Sequence, residues 1–85
     1  MNCRIKSELF ADYLLKNGGK EIYLVNIQHD SGEYCHEFVE WNGRYYDPTS
    51  TGLSYLSSKE TYMEKLHKLG FNGLTIKSPY ITKMV

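Results

Sequence analysis

Cys3, His36 and Asp47 are the side chains of this 85-residue chain whose types suit one reaction between them. Nucleophilic attack on a carbonyl needs a thiolate, a base within hydrogen-bond reach, and a third group that holds the base in the useful tautomer. A cysteine, a histidine and an aspartate, in that order along the chain, supply one of each. On residue type and spacing alone a triad and a chance assortment stay equally open. The question passes to the elements that would have to position the three groups.

Two of them sit on one predicted hairpin. Asn42-Gly43 is flanked by the apolar and aromatic runs His36–Trp41 and Arg44–Asp47, the strongest short-range signal for a two-residue turn. Such a turn pairs Trp41 with Arg44, and counting back sets Phe38 opposite Asp47 and His36 opposite Thr49. Strand side chains alternate between faces, so His36, Phe38 and Glu40 share a face with Tyr45, Asp47 and Thr49. His36 and Asp47 are then diagonal neighbours, the arrangement in which a carboxylate orients an imidazole. Cys35 points to the opposite face and reads as a core thiol. Trp41, Tyr46 and Val39 share that opposite face and read as core or as packing for a second helix.

The third group opens a helix. Asn2 suits an N-cap, and Ile5, Leu9, Phe10, Tyr13 and Leu14 follow as an amphipathic stripe over about residues 3–16. Asn17-Gly18-Gly19 supplies a left-handed stop. A thiol in the first turn meets the unpaired N–H groups and positive dipole end of the helix, which favour a thiolate. The stripe is expected to pack on the His36 face, against Ile22, Leu24 and Phe38. Residues 21–28 read as a strand, a second begins near Tyr34, and the third covers Arg44–Asp47. Ser57 and Glu60 have capping-box spacing before a helix over about 58–69, which Gly70 stops. Leu74–Lys77 reads as a last short strand that Pro79 breaks. The fold class is α+β: an N-terminal helix packed on a small antiparallel sheet with a second helix, in one domain spanning residues 1–85.

Composition narrows the partners. Ten basic and ten acidic residues cancel, with no basic stripe, so nucleic acid and anionic membrane are poor candidates. The apolar runs are too short to span a bilayer and the first residues do not open a signal peptide, which points to a cytoplasmic protein with two free thiols. No Cys-x-x-Cys spacing exists, and Cys35 and His36 diverge, which argues against zinc. His29 and His67 read as solvated.

The stretch His36-Glu37-Phe38-Val39-Glu40, then Asn42-Gly43-Arg44-Tyr45-Tyr46-Asp47-Pro48-Thr49, resembles the transglutaminase-like branch of papain-fold cysteine enzymes. The upstream part is similar too: Cys3-Arg4 opens a helix, Tyr13–Gly18 ends it, and Ile22–Val25 follows as a strand. The resemblance covers about Cys3 to Thr49. It implies a papain-like core in which Cys3 is the nucleophile, His36 the general base and then acid, and Asp47 the orienting carboxylate. It further implies action on amide or peptide carbonyls of a protein or peptide through a thioester, with no metal or organic cofactor. In that family part of the oxyanion hole comes from a segment before the cysteine. Only Met1 and Asn2 stand there in this sequence, which leaves the Cys3 N–H as one donor, with Gln28 and Asn2 as candidates for the other by chemistry alone. Glu40, on the His36 face, is a candidate substrate contact or simply an exposed edge carboxylate. The rival reading is a non-catalytic binding or effector protein on the same fold, gripping a protein partner.

Overall fold

In the computed structural model, which describes residues 3–49 and 58–81, Asn42 and Gly43 take φ of 53° and 74°. Positive φ at both positions gives a turn whose twist matches that of the strands it joins. Those strands are β2 (Cys35–Trp41) and β3 (Arg44–Tyr46), with Trp41 opposite Arg44 as anticipated. On its other side β2 pairs antiparallel with β1 (Tyr23–Gln28), Val25 facing Phe38 and Ile27 facing His36. β4 (Thr75–Pro79) lies antiparallel on the outer edge of β1, giving the sheet order β3-β2-β1-β4. Among the described residues two helices complete the α+β arrangement, α1 (Cys3–Lys16) and α2 (Lys59–Lys68), and α1 packs on the sheet.

Local chemistry sets the ends of these elements. Gly18 takes φ of 85° and the Gly19 N–H donates to the Leu14 carbonyl at 2.8 Å, closing α1 where the glycines predict it. At the start of α2 the cap is Ser58, whose hydroxyl accepts from the Thr61 N–H at 3.1 Å. Ser57, the cap anticipated from the sequence, lies outside the described residues, as does Asn2. Pro79 does not break β4 but ends it, opposite Tyr23. A proline has no N–H to give to a ladder, and β4 is an edge strand where none is required on the outer side.

The helices cover the sheet in the opposite sense to the one expected. Alternation along β2 sends His36, Phe38 and Glu40 to one face and Cys35, Glu37, Val39 and Trp41 to the other. α2 covers the His36 face, where Tyr62 and Leu66 bury with Val25, Ile27 and Phe38. α1 covers the other, where Ala11 and Leu14 bury with Ile22 and Val39, and Trp41 and Tyr46 pack against them. The buried side of α1 is Ser7, Ala11 and Leu14, not the full stripe of large residues; Leu9 stays 57% exposed and Tyr13 61%. Small residues at Ser7 and Ala11 let the helix approach closely, and the Ser7 hydroxyl donates to the Glu37 carbonyl at 2.9 Å. Each large apolar side chain fully buried in these two layers, such as Phe38 and Ile27, contributes roughly 1.5–3 kcal/mol. Cys35 is exposed at the start of β2 and is not a core thiol.

Candidate functional site

His36 and Asp47 meet as the hairpin register requires. His36 Nε2 lies 2.7 Å from Asp47 Oδ2, with the imidazole side chain 17% exposed and the carboxylate 3%. Asp47 accepts from further donors: the Thr49 hydroxyl at 2.6 Å and the Thr49 N–H at 3.1 Å reach Oδ1, and the Tyr62 hydroxyl makes a short hydrogen bond to Oδ2. Burial alone would push the Asp47 carboxyl up. The hydrogen bonds from His36, Thr49 and Tyr62 outweigh it and hold the pKa at about 2. An ionised Asp47 accepts the His36 Nε2–H, which makes Nδ1 the basic nitrogen. Among the described residues Nδ1 has no hydrogen-bond partner. Phe38 and Phe71 hold the ring, each with its centroid 5.8 Å from that of the imidazole.

Tyr62 is the member of this cluster that the sequence reading treated only as part of an apolar helix stripe. Its hydroxyl lies 3.3 Å from His36 Nε2 and donates to Asp47. Burial first, then the Asp47 hydrogen bond and charge, then Cys3, push its pKa far above the ordinary tyrosine value. The available signal was chemical: a buried tyrosine needs a partner for its O–H, and the facing hairpin carries His36 on β2 and Asp47 just past β3.

Cys3 is half-buried at the first position of α1, the helix on the opposite face of the sheet from the imidazole. Among the described residues it makes no hydrogen bond to His36. β3 ends at Tyr46, opposite Val39, so among the described residues no strand pairs with the outer edge of β2 beside His36. The site thus brings two of the three predicted groups, His36 and Asp47, into contact, with Cys3 outside their hydrogen bonds.

The thiol also opens onto a cleft of about 660 Å³ on the α1 face, shared with Glu8, Asn26, Cys35, Glu37 and Ile76. Gln28 lies at the end of β1, opposite Cys35, on this same face. Glu40 is not a free edge carboxylate: Lys59 and Lys77 each bring Nζ to 3.0 Å of its Oε2. Burial opposes ionisation there, but the two lysines prevail and lower its pKa. Four residues along a strand from His36 it stands about 13 Å away, so it takes no part in the cluster. His29, expected to be solvated, is half-buried and stacked on Tyr34 with centroids 4.3 Å apart; His67 is exposed.

Among the described residues no three histidine, cysteine, aspartate or glutamate side chains are grouped to hold a metal ion, and no helix is long and apolar enough to cross a membrane. The chain matches no family model, no curated protein and no solved structure.

Proposed function

We propose that the chain is a thiol-dependent hydrolase or acyltransferase of amide or peptide carbonyls, built on a minimal transglutaminase-like core. In this reading Cys3 Sγ attacks the carbonyl carbon while His36 Nδ1 takes the thiol proton. The C–N bond breaks, His36 returns that proton to the leaving amine, and a thioester remains on Cys3. Water or a second amine then attacks the thioester with His36 again as base. Asp47 keeps Nδ1 as the basic nitrogen throughout, and Tyr62 and Thr49 keep Asp47 ionised and aimed. The single observation that carries the reading is the 2.7 Å His36–Asp47 contact inside a hydrogen-bonded carboxylate site, with Nδ1 left without a hydrogen-bond partner among the described residues. Free thiols suit a reducing compartment, so we place the protein in the cytoplasm.

Selective alkylation tests it. Cys35 is exposed and serves as an internal reference for an ordinary thiol. The thiolate is the reactive species, so Cys3 should react with iodoacetamide roughly tenfold or more faster than Cys35 at neutral pH. The advantage should persist below pH 7 and vanish in His36→Ala. Equal labelling, or a Cys3 rate indifferent to His36, would leave the rival reading of a non-catalytic protein that grips a partner. One observation favours that rival: Ile5, Leu9 and Tyr13 lie exposed at i, i+4 and i+8 on the outer side of α1.

A further inference from the structure

Glu37 is a buried carboxylate with an unused oxygen. The residue is only 8% exposed, yet among the described residues its Oε2 has no hydrogen-bond partner. An unsatisfied buried acceptor loses its hydration with nothing in return, and a carboxylate loses most. Burial accordingly pushes its pKa above the ordinary glutamate value, against the opposing pull of the Asn26 amide. The Asn26 Nδ2 is also drawn to Cys35 Sγ, 3.2 Å away. Arg4 is the nearby cation, but its Nε is paired with Glu8 Oε2 at 3.2 Å and its side chain is largely in solvent. Glu37 therefore faces the cleft it shares with Cys3 without the donor its chemistry calls for.

We infer that this cleft binds an organic cation bearing N–H donors on an aliphatic stem, with Glu37 Oε2 as its acceptor. The head group follows from the charge: an ionised oxygen in a partly closed site favours a donor that is itself positive, while Glu8 and Arg4, paired with each other on the cleft wall, offset one another. The stem follows from the walls, where Leu24 and Ile76 supply apolar surface beside the acceptor. An ammonium and a guanidinium share this chemistry. The site does not depend on Cys3 attacking a carbonyl and stands if that reading fails.

Cys3 and Cys35 line the same cleft and report its occupancy without any turnover. On the intact chain, millimolar n-butylammonium should slow iodoacetamide labelling of both cysteines, while 1-butanol, of the same length without the charge, should protect at least about tenfold less well. n-Butylguanidinium in a parallel titration decides which head group is preferred. Glu37→Gln should abolish the protection and leave the melting temperature unchanged or higher, because it removes a buried charge one of whose two oxygens has no partner among the described residues. Glu37→Met, isosteric and apolar, should do the same and covers the case in which the amide of the first variant finds a new partner. Equal protection by butanol, or protection that survives both substitutions, would overturn the inference. Because labelling is read as a ratio with and without the cation, the outcome is separate from whether Cys3 outruns Cys35.

Discussion

The sharpest quantitative test concerns Asp47 and acid. Its carboxyl has a pKa of about 2 in the folded chain against an ordinary value of 3.8. A depressed carboxylate stabilises the fold above the unfolded value, and that stability is lost as pH falls through the folded value. The window is therefore from about pH 4 down to about pH 2. The difference of just under two units corresponds to about 2 kcal/mol, undiscounted because the carboxylate is buried. Asp47→Asn removes the titration and keeps the shape. At neutral pH the variant should be less stable by about 2–4 kcal/mol, because donors on His36, Thr49 and Tyr62 lose an ionised acceptor. The diagnostic quantity is how this deficit changes. Between pH 5 and pH 2 it should shrink by about 2 kcal/mol as the wild-type carboxylate takes up its proton. All other acidic groups titrate in both proteins and cancel. Urea unfolding at a series of pH values measures it, with sulfate added equally to both proteins if acid alone unfolds them. A deficit independent of pH, or one that grows in acid, would show that the donors around Asp47 do not favour its ionised form. Labelling of Cys3 in the same preparations separates the roles. If Asp47 acts through His36 on the thiol, Cys3 falls to the Cys35 rate in the variant; if Asp47 only holds the hairpin end, stability falls and the Cys3 rate per folded molecule stays.

Two more outcomes follow from particular contacts. Tyr62→Phe removes the hydroxyl donated to Asp47 Oδ2 and should cost about 1.5–3 kcal/mol at neutral pH; the folded pKa of Asp47 then rises toward 3.8, so the acid loss becomes smaller and is complete at a higher pH, which the same urea series reads. Gly70→Ala should cost about 2 kcal/mol or more, because Gly70 has φ of 96° and a Cβ there would stand 2.4 Å from His29 Nε2, on a ring fixed by Tyr34, Phe71 and the Leu69 carbonyl. A change within about 0.5 kcal/mol, the range of an ordinary surface substitution, would count against that packing.

The hairpin was legible because its information is local. Asn42-Gly43 admits one turn, the turn admits one register, and the register puts His36 beside Asp47 with no help from the rest of the chain. The extent of α1 was legible for the same reason, since its glycine stop is read from neighbouring residues. Which helix covers which face was not, because that choice is tertiary. Both faces of the β2–β3 hairpin carry apolar residues that can receive a helix: Phe38 with Tyr45, or Val39 and Trp41 with Tyr46. What decides is fit. Ser7 and Ala11 are small enough to set α1 against Val39 and the Glu37 backbone, whereas Tyr62 brings a hydroxyl to Asp47 Oδ2. A count of large apolar residues is blind to both, since it passes over Ser7 and Ala11 and reads Tyr62 as bulk. Glu37 was missed by a related blindness: nothing in a strand pattern marks one glutamate as buried without a partner.

Pro48 explains why the His36–Asp47 contact can exist at an edge that a longer strand would cover. Proline offers no N–H to a ladder, so β3 stops at Tyr46 and the carboxylate of Asp47 is left at the end of the pairing. With the chain released from the sheet, Thr49 turns its N–H and hydroxyl back onto Asp47 Oδ1, the side-chain-to-backbone closure that aspartate favours in turns. One oxygen is thereby spent on holding the turn, which leaves Oδ2 to face His36 and Tyr62. The same early stop leaves β2, among the described residues, without a strand neighbour beside His36. Asp47, Pro48 and Thr49 thus act as one device. The proline ends the strand, the threonine orients the carboxylate, and the carboxylate selects the imidazole nitrogen that remains free to take a proton.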